Sequence, residues 1–296
     1  MLDVLIPHYN DADQLDFSLR SVADQTWRGD LRVIVVDDGS DKDQLSRAEK
    51  VIIDSDLNIE LIRCPENQGR PKARNTLLDA SDARFVAWLD AGDVWYPTKL
   101  QTQFNRLYKL DYEGADLNST WVTCNYDWQW TGRRRRTVKQ DTTGNQLHDL
   151  FVGDRLRAYL WTLLGTRASF MMANRFDERL TRLQDLDYFI SFVRGGGVLV
   201  STDTAKPLCC YFKSDIGRNA TEIRKCYTTI FDKHRAPLEA LGPRFVRRAK
   251  AKADFVAARF AKSNGDRLRA LSYHMDALRT DPYYVAHRVK KSLRKG

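Results

Sequence analysis

The sequence predicts an α/β protein built on a mainly parallel sheet with flanking helices, and three observations carry that class. Short apolar runs at Leu2–Pro7, Leu31–Val36, Ile59–Arg63 and Phe85–Leu89 alternate with stretches of helical spacing. A βαβαβαβ order of this kind implies parallel strands joined by right-handed crossovers. The run Leu31-Arg-Val-Ile-Val-Val36 is almost continuously apolar, as a strand covered on both faces should be. Acidic residues stand just beyond two of these runs, Asp37 and Asp38 after one, Asp90 and Asp93 after another. Open α/β sheets bind ligands outside the carboxyl ends of their strands.

In chain order, Pro7 ends the first strand and Asn10 or Asp11 offers an N-cap to a helix carrying Leu15, Leu19 and Val22. Trp27–Asp30 is a turn. A charged helix follows around Gln44–Asp54, and Pro65–Pro71 is a loop before a helix from Lys72 to Ala80. Pro97–Leu110 reads as an amphipathic helix with Leu100, Phe104, Leu107 and Leu110 on one face. Trp121–Trp130 alternates as one strand and turns at Thr131-Gly132 into Arg133–Arg136. Trp161–Met172 reads as a strand region bent at Gly165-Thr166, and Leu183–Asp187 opens an apolar helix. Residues 213–231, with Arg218 and Lys225, are expected to close over a ligand. Arg244–Lys262 and Arg267–Thr280 form an αα-hairpin joined at Asn264-Gly265, the second helix showing Leu268, Leu271, Met275 and Leu278 on its apolar face.

Composition bounds the function. At 43% hydrophobic and 29% charged, the 296 residues are ordinary for a globular protein. No run approaches the roughly 18 apolar residues of a membrane span, and no basic-then-apolar signal segment opens the chain. Five cysteines without C-x-x-C spacing indicate a reducing, cytoplasmic setting and give no zinc site. The net charge of +9 is uneven: residues 244–296 hold 15 Lys+Arg against 4 Asp+Glu, while the rest holds 33 against 35. The tail therefore has its own electrostatic role, and an anionic membrane surface is the expected partner, with core packing of its apolar faces as the alternative. Neither G-x-x-x-x-G-K-[ST] nor G-x-G-x-x-G is present, which disfavours P-loop and dinucleotide-binding proteins.

Asp90 and Asp93 suit a hard divalent cation that also holds a diphosphate, although a turn alone would favour the same residues. Bringing Asp37, Asp38, Asp90 and Asp93 into one cleft is costly unless a cation or a donor-rich ligand offsets the repulsion.

Four segments, Ile6-Pro-His-Tyr-Asn10, Val35-Val-Asp-Asp-Gly-Ser40, Asn67-Gln-Gly-x-x-x-Ala-Arg-Asn75 and Trp88-Leu-Asp-Ala-Gly-Asp93, follow one another in register. The series resembles that of the inverting family 2 glycosyltransferases with a GT-A fold, a Rossmann-like sheet with flanking helices. The resemblance implies that Pro7, Tyr9, Asn10 and Asp38 surround the nucleotide, with Asp38 accepting from uracil and Arg74 nearby. It also implies a Mn²⁺ or Mg²⁺ site. Gly92 stands where the family often has a further Asp, leaving Asp93 as the direct ligand and Asp90 as a ribose or supporting partner. Downstream, Phe176-Asp-Glu-Arg-Leu180 and Gln184-Asp-Leu-Asp187 resemble the segments that end in the family's general base. That position is Asp185, with Gln184 in place of the usual Glu and Asp187 a weaker candidate.

The implied organisation is a GT-A domain over residues 1–235, split into a nucleotide half (1–110) and an acceptor half (111–235), followed by a basic helical region, 236–296. The implied activity moves a sugar from a nucleotide-diphosphate donor, UDP-hexose foremost, to a saccharide or lipid-linked acceptor in surface polysaccharide assembly, at the inner face of the cytoplasmic membrane. Blander readings stand beside these. Tyr9 packs under the sheet edge, Arg74 pairs with Asp37 or Asp38, and Asp185 and Asp187 are an acidic helix start favoured by the dipole. A sugar-nucleotide pyrophosphorylase would need a Gly-rich loop that Pro7–Asn10 does not supply. A nucleic-acid binder would use Trp128, Trp130 and the arginine run; no nucleic acid is expected on the transferase reading.

Overall fold

Strand β1 (Leu2–His8) runs at the centre of the main sheet, parallel to β2 (Leu31–Asp37) on one side and β4 (Phe85–Trp88) on the other, with β3 (Ile59–Arg63) beyond β2. The crossovers are α1 (Ala12–Ala23), α2 (Lys42–Ile53) and α3 (Arg70–Ala80). Hence the carboxyl ends of β1, β2 and β4 share one edge. The computed structural model describes residues 1–129, 135–212 and 219–293. The expected turn at Thr131-Gly132 with Trp130, Arg133 and Arg134, the segment with Arg218, and the last three residues lie outside the described residues.

Beyond β4 the chain adds β5 (Val94–Trp95), α4 (Lys99–Tyr112), β6 (Thr120–Thr123), β7 (Tyr126–Gln129), β8 (Arg136–Val138), α5 (Gln146–Val152), β9 (Leu164–Thr166), α6 (Arg167–Met172), α7 (Gln184–Arg194), β10 (Val198–Ser201) and β11 (Cys209–Phe212). The main sheet has the order β10-β6-β9-β4-β1-β2-β3, with β9 antiparallel to both neighbours. A second sheet, β5-β11-β7-β8, stands at the carboxyl edge.

Two expected strands change. The segment 121–130 is two strands in different sheets, because the chain crosses from one to the other at Cys124-Asn125. The Asn125 amide takes over the lost ladder partners, accepting from Gln140 N at 2.8 Å and donating to Thr204 O at 3.1 Å. In 161–172 only Leu164–Thr166 is a strand; the Thr166 hydroxyl accepts from Ser169 N at 3.1 Å and starts α6. An apolar run of that length does not by itself separate helix from strand. At α1, Asp11 holds the N-cap position without a side-chain bond, and Gln44 Oε1 accepts from Ala12 N instead.

The C-terminal part is helical: α8 (Ala220–Lys233), α9 (Arg235–Ala240), α10 (Pro243–Ser263), α11 (Arg267–Thr280) and α12 (Pro282–Leu293). Residues 220–231 do not form a cover over a ligand. They are most of α8, which buries Ile223, Cys226, Tyr227 and Ile230 in the same apolar cluster as Leu5, Trp88, Trp121 and Ala249. The hairpin of α10 and α11 forms as expected, but with the opposite face of α11 inward. Ala270, Tyr273 and Ala277 are buried, whereas Leu268 is 84% and Leu271 61% exposed, with Met275 and Leu278 also open. The small side chains let α11 lie close against Ala257, Ala258 and Ala261 of α10, a fit the bulkier stripe would prevent.

Candidate active site

At the ends of β1 and β2 the acidic residues are spent on architecture. Asp37 is buried; its Oδ1 lies 2.8 Å from His8 Nδ1 and accepts from Ser40 Oγ at 2.5 Å, while Oδ2 accepts from Ser40 N at 3.0 Å. Asp38 accepts from the backbone N–H groups of Gln68 and Gly69, both at 2.9 Å. Burial raises the Asp38 carboxyl against the pull of those donors. Gly39 has φ +71°, and a Cβ there would strike the backbone of Glu66 and Asn67, so the turn requires glycine. Asn10 is left-handed at φ 50° and tied to the same turn, its N–H donating to Ser40 Oγ and its Oδ1 accepting from Asp41 N, each at 2.8 Å. Pro7 lies in β1 opposite Val36. Tyr9 does not pack under the sheet; it is 48% exposed on the rim.

The second cleft, at the end of β4, is organised by Arg74. Its fully buried guanidinium donates from Nη1 to Asp185 Oδ1 at 2.5 Å and from Nη2 to both oxygens of Asp90, at 3.0 and 3.1 Å. Arg74 therefore sits with Asp90 and Asp185, not beside Asp37 or Asp38. Burial disfavours its charge, but the two carboxylates more than compensate and hold its pKa above the ordinary arginine value. Burial likewise opposes ionisation of Asp90, and the positive charges of Arg74 and Arg70 win, so its carboxyl stays low.

Asp93 lies alongside and, among the described residues, has no direct ion pair, Arg70 acting on it only from beyond ion-pair distance. It is 4% exposed, among the described residues its Oδ1 accepts only from Phe212 N at 3.3 Å, and burial followed by the charge of Asp90 pushes its carboxyl well above the usual range. Its loop is fixed by Ser18, whose Oγ donates to Asp93 O and accepts from Gly92 N, both at 2.9 Å. Gly92 has φ +94°, and a Cβ would meet Gln14 Oε1 at 2.9 Å; an Asp here would be strained. The expected convergence is thus partial. Asp90, Asp93 and Asp185 share one cleft, while Asp37 and Asp38 are held by their own turn. Among the described residues no three His, Cys, Asp or Glu side chains make a protein-only metal cage.

Asp185 enters this cleft on the first turn of α7. Leu183 precedes it at φ 62°, a strained conformation for a β-unbranched but bulky side chain that redirects the chain into the helix. With Oδ1 held by Arg74, Asp185 Oδ2 has one weak donor among the described residues, Leu160 N at 3.3 Å. Asp187 is different. It is buried, with Oδ1 2.8 Å from His234 Nε2 and Oδ2 accepting from Lys233 Nζ at 2.7 Å, so it anchors α8 to α7. Beneath them Trp121 stacks on Phe192, and Asn75 clamps Phe176 through two backbone bonds.

Two features escaped the sequence reading. Arg70, one of the unspecified positions in the Asn67–Asn75 motif, acts electrostatically on both Asp90 and Asp93. An aromatic wall of Tyr159, Trp161 and Tyr211 borders Asp93 and Asp185; Trp161 and Tyr211 stack at 5.7 Å and 5°. The available signal was the aromatic pair Tyr159-x-Trp161 itself; the two rings stack at 5.1 Å where a short 3₁₀ turn, Leu160–Thr162, begins.

The glycosyl transferase family 2 model matches residues 3–177. The chain belongs to that family. The match includes Asp38, Arg74, Asp90 and Asp93 and ends before Asp185. Among relatives of this family-2 chain, the Escherichia coli UDP-Glc:alpha-D-GlcNAc-diphosphoundecaprenol beta-1,3-glucosyltransferase WfgD is 32% identical over 109 residues, 37% of this chain and 42% of that protein. A Methanocaldococcus jannaschii uncharacterized glycosyltransferase is 26% identical over 195 residues, 64% of this chain and 63% of its own length. The chain spans between 34% and 63% of the first curated relatives it matches. Among solved structures, S. aureus TarS 1-349 in complex with UDP-GlcNAc superposes with TM-score 0.58 at 17% identity, over 100% of this chain and 92% of that one. Mannosyltransferase PcManGT from Pyrobaculum calidifontis, in complex with GDP-Man and Mn2+, gives 0.56 at 18% identity, over 99% and 86%. These likenesses establish the GT-A-type fold.

Proposed function

We propose that this chain transfers a sugar, with inversion, from a nucleotide-diphosphate donor to a hydroxyl of a saccharide or lipid-linked acceptor, with Asp185 as general base. The observation that carries the reading is the Arg74 bridge, which fixes one oxygen of Asp185 and leaves the other facing a cleft with Asp90 and Asp93. Inversion needs one carboxylate to take the acceptor proton during attack at the anomeric carbon, and Asp185 Oδ2 is placed for it. Arg74 keeps Asp185 oriented, and Arg70 offers positive charge to a departing diphosphate. Tyr9, Asn10, Pro7 and Asp38 form the nucleotide end, where an Asp38 oxygen retains a lone pair for a base N–H. The aromatic wall gives the acceptor sugar an apolar face to lie on.

Asp93 fits a divalent cation, because among the described residues its buried carboxyl makes no direct ion pair and a site of one carboxylate completed by phosphate oxygens is how Mg²⁺ is commonly held. Bound there, Mn²⁺ or Mg²⁺ would neutralise charge on the diphosphate. UDP-Glc in the name of WfgD and UDP-GlcNAc in TarS support a uridine donor, and the diphosphoundecaprenol of WfgD supports a lipid-linked acceptor; a Bacillus subtilis relative assigned to teichuronic acid biosynthesis, 35% identical over 109 residues, supports a role in surface polysaccharides.

No helix among the described residues is long and apolar enough to cross a membrane. The exposed stripe Leu268, Leu271, Met275 and Leu278, on a strongly basic region, supports peripheral contact with anionic lipid. The deciding experiment is Asp185→Asn, assayed for transfer and for UDP-sugar binding. Transfer should disappear with binding kept; full activity would remove Asp185 from the mechanism. For the membrane, Leu268→Ser with Leu271→Ser should reduce sedimentation with phosphatidylglycerol vesicles, and equal sedimentation would reject that contact.

A further inference from the structure

Behind the aromatic wall, cations gather that the transfer chemistry leaves unused. Arg248, Lys252 and Arg259 follow one another along one face of α10 at helical spacing. Arg288 of α12 and Arg157, from the segment between α5 and β9, complete the group. Asp154 serves two of them: Arg288 Nη1 donates to its Oδ1 at 3.2 Å, and Arg248 Nη2 lies 3.9 Å from its Oδ2. Among the described residues, Arg157, Lys252 and Arg259 have no carboxylate within ion-pair distance.

Rings position these cations without neutralising them. Arg157 lies 5.8 Å from the Trp128 ring centre, Arg248 6.0 Å from Tyr284, Arg288 5.8 Å from Phe255 and Lys252 5.7 Å from Tyr227. Among the described residues Lys252 Nζ donates once, to Phe151 O at 2.6 Å, which leaves two of its three donors. The surplus has an energetic signature. Burial, opposed by Asp154 and reinforced by Arg157 and Arg288, lowers the Lys252 amine to about 7. Such an assembly costs stability until an anion of several charges joins it.

The placement selects the anion. One end of the group opens at the exposed Arg259; the other reaches Arg157, which lies beside Tyr159, itself within electrostatic reach of Asp185 and Asp93. We infer that the cationic cluster of α10, α12 and Arg157 is a diphosphate-binding subsite, which on the transferase reading above seats the phosphates carried by the acceptor. Guanidinium forks match phosphate oxygens in pairs, and several cations in one cluster suit a diphosphate better than a single carboxylate. The acceptor sugar would then lie along the aromatic wall, with its phosphates on the side away from Asp185.

The test uses the full chain in metal-free buffer and titration calorimetry, with inorganic pyrophosphate and farnesyl diphosphate as probes. Wild type should bind both, and Arg157→Gln combined with Arg259→Gln should weaken both by at least about tenfold, the loss expected for charge-assisted bonds. Arg259→Gln alone, at the exposed mouth, should show a smaller weakening in a protein with wild-type melting temperature. Tighter binding of farnesyl diphosphate than of pyrophosphate supports the subsite with a lipid-linked source; equal binding supports it with a soluble sugar diphosphate. Probe affinities unchanged in the double variant, or lost only in Arg70→Gln, would overturn it. A parallel titration with UDP keeps the two readings apart, because absent UDP binding by wild type counts against the transferase and not against the subsite.

Discussion

The sheet edge carries acidic residues at two places, and the two treat them in opposite ways. At the β1–β2 end, Asp37 and Asp38 accept five hydrogen bonds or close contacts from His8, Ser40, Gln68 and Gly69, all of which hold the turn together. At the β4 end, Asp90 and Asp185 share one arginine and Asp93 has a single weak donor. Carboxylates satisfied by their own backbone shape a pocket, whereas carboxylates left short of positive charge can take up a proton or a cation. The same sequence signature, acid after an apolar strand, thus marks a wall in one place and chemistry in the other.

The comparison can be broken most forcefully at Asp185. Asp185→Asn should lower the transfer rate by roughly 10²–10⁴-fold, the range for general-base removal, with UDP-sugar affinity within error of wild type by calorimetry. Next comes Arg74→Ala, which strands Asp90 and Asp185 near each other without their cation. Removal of one partner from a buried ionic group costs about 3–5 kcal/mol, so urea unfolding should show a loss of that order. On the satisfied side, Asp37→Asn should cost about 1–3 kcal/mol of stability and affect turnover mainly through a raised donor KM, since the turn it braces carries Asn10 and Ser40.

The smallest effect sharpens the contrast by its sign. The Asp93 carboxyl titrates above its unfolded value, so the stability it supports is present at low pH and is lost as pH rises through the folded pKa. Asp93→Asn should therefore melt at a higher temperature than wild type at neutral pH in metal-free buffer, with the gap closing as pH falls. A variant less stable than wild type at neutral pH would mean that Arg70 outweighs burial and Asp90 at this carboxyl.

Much of this architecture was legible before any coordinates. The four parallel strands, their acidic ends and the helical hairpin followed from local apolar periodicity and turn chemistry. The strand that proved to be two, and the run 161–172 that proved mostly helical, failed where the chain changes sheets or where one hydroxyl, that of Thr166, sets the element boundary. The cleft was legible in part: Asp90, Asp93 and Asp185 were named together, but Arg74 was expected near Asp38 and the nucleotide, with an ion pair to Asp37 or Asp38 as the alternative, and not as the bridge between Asp90 and Asp185.

The sequence by itself determined which residues could do chemistry, because residue type and spacing along a strand or helix are properties of short segments. Only the tertiary structure decided which of them are free to do it. Asp185 and Asp187 stand two positions apart and are indistinguishable by composition, yet His234 and Lys233 close on one while Arg74 leaves an oxygen of the other open. Likewise the leucines of α11 suited a core or a membrane surface equally until the alanines of α10 took the opposite face. Burial and ion pairing are set by neighbours distant in the chain, and their energies outweigh the local preferences that a sequence displays.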